Sequence, residues 1–331
     1  AHVVERDARV ANQRTPRLKR QGWNLDAKTL AFRGNRIGDC KGNSGITFPA
    51  GVPKYWNLPA GTNWADAAWA TTSGGTPNIN NFPLAQDTAW IESTGLNSGA
   101  TLTISATFQI GTINMAGRTT NTMTLATGAS FLTVYGNWIN GSGCSFSGTG
   151  TILFAGRGSQ TITSAGASAF TQPFTINTPS GSVTLADAFS NSNSTTSVLL
   201  LTTGTFNANG QNVTLSGAAS SVSSSNSNTR TIAVGSGIWT LSGTAPWIAT
   251  TSTNLTVTGT GIIKLTSAST KTFAGGGVSY TNITLDQGGA GQLNITGNNT
   301  FGNITNTYGA TGATTRSEEH TSELQSRSAI S

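Results

Sequence analysis

From residue 101 onward the chain repeats one short motif: an apolar residue, then Thr, Asn or another polar residue, then an apolar residue. It stands at Leu102-Thr103-Ile104, Ile113-Asn114-Met115, Met123-Thr124-Leu125, Leu132-Thr133-Val134, Phe174-Thr175-Ile176, Val183-Thr184-Leu185, Val213-Thr214-Leu215, Leu255-Thr256-Val257, Ile283-Thr284-Leu285 and Leu293-Asn294-Ile295. Alternation with a period of two, in short runs bounded by Gly, Asn and Ser, predicts strands that bury one side and expose the other. No stretch of this region sustains a helical period.

The chain also resembles itself over longer distances. Gly111-Thr112-Ile113-Asn114-Met115-Ala116-Gly117 is similar to Gly204-Thr205-Phe206-Asn207-Ala208-Asn209-Gly210. Gly148-Thr149-Gly150 with Ile152, Phe154, Thr161 and Ile162 matches Gly259-Thr260-Gly261 with Ile263, Leu265, Thr272 and Phe273, and the register persists to Phe174/Ile283 and Val183/Leu293. These similarities read as two divergent copies, about residues 111–185 and 204–295, of a unit long enough for several solenoid coils or one β-sandwich.

An all-β fold follows, and its architecture turns on how a core could be built. A sandwich draws on large core side chains and hairpin turns of defined type. Here the strands are three or four residues long, with Thr, Ser and Asn outward, which suits a parallel β-solenoid whose short strands stack coil on coil. Tandem β-sandwich domains are the alternative. Before the repeats, residues 52–92 hold Tyr55, Trp56, Trp64, Trp69 and Trp90 among four prolines. This window is expected to be the N-terminal cap that a solenoid end requires. Paired exposed rings would instead make a sugar-stacking platform, so the same five residues are the candidate glycan contacts.

Composition narrows the class further. Thr (56), Ser (36), Asn (29) and Gly (41) make up 162 of 331 residues, while 9% are charged, which suits stacked rungs because like charges would repel at the spacing between coils. No apolar run is long enough to span a membrane. Residues 1–41 carry ten Lys or Arg against four Asp or Glu, so the net charge of +6 belongs to the N-terminal segment. The basic stretch Arg14 to Arg20 lacks aromatic interleaving, and no specific nucleic-acid binding is expected. Residues 1–21 read as a basic leader, 22–100 as N-terminal strands and the Trp-rich module, and 101–315 as the solenoid. The string from Arg316 to Ser326 is the translation of a common short-read sequencing adapter, and its continuation to Ser331 fits an index and the adapter's next codons. Residues 316–331 are therefore expected to be non-native and to pack on nothing.

The search for chemistry mainly excludes. The only histidines are His2 and His320, so a Ser/His/Asp or Cys/His centre or a His/Cys zinc site has no imidazole in the repeats. No phosphate-binding loop is present, and no cofactor or metal is expected. Cys40 and Cys144 read as small buried apolar groups. Glycoside cleavage needs two facing carboxylates. The acids between residues 50 and 315 are Asp66, Asp87, Glu92, Asp187 and Asp286, none placed by the repeats as a pair, and a non-enzyme is expected.

One resemblance carries further. Arg36-Ile37-Gly38-Asp39-Cys40-Lys41-Gly42-Asn43-Ser44 with Ile46-Thr47-Phe48-Pro49, then Tyr55-Trp56, Trp64, Trp69 and Ser73-Gly74-Gly75, resembles the opening of large hypothetical proteins from uncultured tailed phages. Gly136-Asn137-Trp138, Gln160-Thr161-Ile162-Thr163 and Lys271-Thr272-Phe273 resemble their repetitive β-rich body. The resemblance implies a virion structural protein of tail-fibre or appendage type and a homo-oligomer that in such fibres is often a parallel trimer; the aromatic window adds a host cell-surface glycan as the candidate ligand. Gly/Thr-rich repeats also occur in bacterial secreted and surface adhesins, the alternative reading, with a polysaccharide depolymerase third.

Overall fold

The computed structural model describes residues 37–44, 47–309 and 314–316, the last three by backbone alone. It is all-β, a parallel β-solenoid of about 9 turns with almost no helix. Among the described residues every strand pairing is parallel except Tyr55/Trp56 with Ala70/Trp69. Parallel pairing throughout is what tandem sandwiches would lack.

Each coil runs through three faces. The first face opens at Phe108–Ile110 and stacks Leu132–Val134, then Ile152–Phe154, and onward to Leu293–Thr296 and Thr314–Arg316. The second opens at Pro53–Trp56 and continues through Thr88–Trp90 and Thr112–Asn114 to Arg230–Gly235 and Leu255–Gly259. The third opens at Ala100–Thr103 and, carried across by a bridge from Phe170 to Asn191, ends at Thr300–Thr305. Leu285 pairs with Ile304 and Trp247 with Phe273, so a coil takes 19 to 26 residues, apart from the first step of the second face, Pro53 to Thr88, which takes 35. With rungs about 4.8 Å apart, nine coils make a rod roughly 40 Å long.

The alternating motif explains the section. In Val213-Thr214-Leu215 the two apolar side chains are buried and the Thr faces out, and the same holds for Ile263 and Leu265 around Lys264. At the corners Asn accepts from a backbone N–H two residues on, as Asn114 does from Ala116, Asn191 from Asn193 and Asn207 from Asn209, the Asx-turn that lets a chain bend without losing a hydrogen bond. Gly235 and Gly259 meet at one corner with φ of 74° and 124°, and a Cβ on Gly259 would sit 2.6 Å from the Gly235 nitrogen, so side chains are excluded there by both backbone and space.

Aromatic side chains are not rare inside, as the contrast with a sandwich implied; they stack between rungs. Phe146 and Phe170 lie 4.3 Å apart at 28°, Phe170 and Phe189 5.4 Å at 24°, and Trp247 and Phe273 5.6 Å at 15°. Parallel in-register stacking repeats an inward position every coil, which brings like rings into offset contact.

The Trp-rich window closes the N-terminal end on all three faces. Trp69–Ala70 pairs antiparallel with the first rung of the second face, Asn63 bridges Thr103 on the third, and Phe82 packs 5.5 Å from Phe108 on the first. The edge strands of the first coils thereby find partners instead of remaining open.

The long repeat places its copies on different faces. Ile152–Phe154 lies on the first face and its sequence match Ile262–Leu265 on the third; Ile162 lies on the second and its match Phe273 on the first. The chain repeats by the strand and not by the coil, because three chemically similar faces accept the same apolar-polar-apolar unit. The shorter match keeps its face: Thr112–Asn114 and Thr205 to Asn207 both lie on the second. Arg316, expected to pack on nothing, instead ends the strand Thr314–Arg316 paired with Leu293 to Ile295; residues 317–331 lie outside the described residues.

Candidate functional site

The outward side of the second face holds the candidate. In Pro53–Trp56 the alternation buries Lys54 and Trp56 and turns Tyr55 out; in Thr88–Trp90 it buries Ala89 and turns Trp90 out. Tyr55 and Trp90 are partners in register, and their rings stack at 6.1 Å and 18°. Both are half-buried, so one broad apolar surface is held flat on a rigid sheet. Asn114 and Ile139 continue the column on the next two rungs.

Beyond those rungs the face becomes a double file of small uncharged side chains, all polar but Ala233. Ser159 and Thr161, Ser182 and Thr184, Thr205 and Asn207, Thr231 and Ala233, and Thr256 and Thr258 succeed one another on five rungs. None carries charge. A surface of this kind offers hydroxyl donors and acceptors at the rung spacing, with an aromatic plate at one end.

The other three sequence candidates are elsewhere. Trp56, Trp64 and Trp69 are at most 1% exposed and form one packed group, Trp69 lying 5.3 Å from Trp56 and 4.8 Å from Trp64. The indole N–H of Trp56 donates to the Leu58 carbonyl and that of Trp69 to the Trp64 carbonyl. Burial removes them from any glycan platform and makes them the filling of the cap.

The carboxylates are engaged locally. Asp87 is buried and accepts from the Val52 and Leu84 N–H groups, Asp187 from those of Ser164 and Ala165, and Asp66 from that of Asn63. Asp286 accepts from Thr305 and Thr307 and lies 3.6 Å from Lys264 on the preceding rung, while Glu92 accepts from the Ser73 hydroxyl. Asp87, Glu92, Asp187 and Asp286 thus tie one segment to another, and Asp66 closes its own turn. Among the described residues no group of three or more His, Cys, Asp or Glu could hold a metal ion, and no helix is long and apolar enough to cross a membrane. Cys144 is buried, which pushes its thiol pKa up, and Cys40, half-buried, donates to Gln109. The basic stretch Arg14 to Arg20 lies outside the described residues.

Besides Lys54 at the first rung, three buried cations of the solenoid were not anticipated. Arg118, Arg230 and Lys271 are 0%, 1% and 0% exposed, and burial holds the pKa of each below its ordinary value. Their hydrogen bonds go chiefly to corner carbonyls. Arg230 reaches the carbonyls of Ser224, Asn228, Thr251 and Thr253 and the Ser224 hydroxyl at 2.6 to 2.8 Å. Arg118 serves Glu92, Leu96, Asn97 and Thr122 in the same way, and the Lys271 ammonium serves Ser267, Gly289 and Gly291. Parity gives the signal: Arg230 and Lys271 occupy inward positions of Arg230-Thr231-Ile232 and Lys271-Thr272-Phe273.

No family model matches the chain, and neither a curated protein nor a solved structure is found similar to it.

Proposed function

We propose that the chain is a non-enzymatic structural and adhesive protein of a virion, a component of a phage tail fibre or appendage that works as a rigid rod and contacts a cell-surface glycan. The fold is compatible with such a role, though folds of this simplicity serve many, so the weight falls on the surface. One observation carries the reading: one face of the rod presents the Tyr55–Trp90 stack and, two rungs farther on, five rungs of uncharged Ser, Thr and Asn with a single Ala, Ala233. Reach comes from the coil count, rigidity from the continuous interior, and contact from the face. The engagement of Asp66, Asp87, Glu92, Asp187 and Asp286 in turns and rungs supports a role without bond cleavage.

A bacterial secreted or surface adhesin of the same architecture is the competing reading, and gene neighbourhood separates the two. Long-read sequencing of an intact contig should place capsid, portal or tail genes beside this one. A C-terminal barrel or sorting signal in the same reading frame would overturn the virion assignment.

A further inference from the structure

The second face is interrupted once, and the interruption is a cleft. From Thr88–Trp90 to Arg230–Gly235 each rung of this face pairs with the rung before and the rung after, but Leu255–Gly259 pairs only with Arg230–Gly235 among the described residues. One coil later the chain does not return to the ladder. Gly276 and Gly277, with φ of 70° and 76°, turn it there, and Ser279 and Tyr280 pair with Thr300 and Phe301 instead. A cleft of about 520 Å³ opens between Leu255–Gly259 and residues 277–283.

Its walls present the chemistry of a missing strand. The Arg230 N–H donates to the Asn254 carbonyl, so in a parallel ladder Thr256 directs its backbone groups to the Arg230 strand, and Leu255 and Val257 direct theirs into the cleft. The Leu255 N–H is taken by the Ser252 carbonyl, which leaves the carbonyls of Leu255 and Val257 and the Val257 N–H along one edge. Beneath them the floor is apolar. Leu255 and Val257 are each 9% exposed, whereas the residues stacked directly below them, Arg230 and Ile232, are each 1% exposed. The rim carries Thr256, Thr258, Ser279 and Thr281 and no charged residue, and the ring of Tyr280 is buried, so the cleft offers neither an ion partner nor a plate for a sugar.

We propose that this cleft is a strand-acceptor site: it takes an uncharged, extended peptide segment of another polypeptide, alternating apolar and hydroxyl-bearing residues, in parallel with Leu255–Gly259. The free backbone edge supplies the pairing, as in other cases of strand addition to a sheet edge, and the apolar floor selects the alternating side chains. This goes beyond the adhesive role, whose aromatic plate lies at the opposite, N-terminal end of the same face.

The test uses the full chain and a dye-labelled peptide copying residues 254–260, Asn-Leu-Thr-Val-Thr-Gly-Thr, read by fluorescence anisotropy. Saturable binding is expected. The same peptide N-methylated at its first two threonines, whose N–H groups would meet the Leu255 and Val257 carbonyls, should bind at least about tenfold more weakly. Ser279→Trp, on the exposed rim, should abolish binding while leaving the thermal midpoint unchanged. Absence of binding up to millimolar peptide, equal affinity of the N-methylated peptide, or full binding by Ser279→Trp each overturns the proposal.

Discussion

Replacing Arg230 with Met should destabilise the rod by about 3–5 kcal/mol, as expected when a buried charged group is removed from partners that cannot be re-satisfied. The methionine keeps much of the stem but deprives the carbonyls of Ser224, Asn228, Thr251 and Thr253 of their donor. Those groups join the corners of two successive coils, so the loss is shared by both. Arg230→Lys should recover only part of it, since an ammonium has three donors and no planar fork with which to serve five acceptors. Thr231→Ala, on the outward side of the same strand, should change stability by less than about 0.5 kcal/mol. Guanidinium denaturation followed by circular dichroism reads all three; equal midpoints for Arg230→Met and Thr231→Ala would show that the cation is dispensable.

Trp138→Ala should cost about 3–5 kcal/mol, the range for removing a fully buried large aromatic. Trp138 is 0% exposed, faces Phe170 at 5.9 Å and Phe146 at 6.3 Å, and donates its indole N–H to Asn140 at 2.7 Å. Its removal opens a cavity between stacked rings and strands a buried amide oxygen. Trp90→Ala removes a side chain of the same size from the outer surface and should cost under about 1 kcal/mol. If the two substitutions lower the denaturation midpoint equally, the assignment of inside and outside on the second face is wrong.

That assignment was largely legible in the chain. Leu132-Thr133-Val134 and its many relatives could only be strands with a buried side, and the rarity of charge pointed to stacked coils. What alternation does not encode is which rung a strand joins. The match of Ile152 to Ile263 suggested equivalent places, yet the two lie on different faces, because any face of a three-sided coil accepts the same short unit. The Trp-rich window illustrates a second limit. Parity separates Tyr55 from Trp56 once the strand Pro53–Trp56 is known, but Trp64 sits in irregular chain and Trp69 in a two-residue strand buried on both sides, where no period tells inside from outside. Arg230 and Lys271 were readable by parity. Composition works against noticing them, since a Lys or Arg is ordinarily placed in solvent and only the supply of corner carbonyls makes the interior tolerable. The cleft beside Leu255–Gly259 has its trace in Gly275-Gly276-Gly277, which marks a bend but not its direction.

The central claim is contact without cleavage, and one measurement addresses both halves. The purified protein is passed over a panel of immobilised bacterial capsules and lipopolysaccharides, retention is recorded, and each eluate is assayed for newly formed reducing ends. The account predicts retention on at least one glycan, loss of that retention in the Tyr55→Ala/Trp90→Ala double variant at unchanged thermal midpoint, and no reducing ends. Release of reducing ends, or retention on none of the panel, would contradict it.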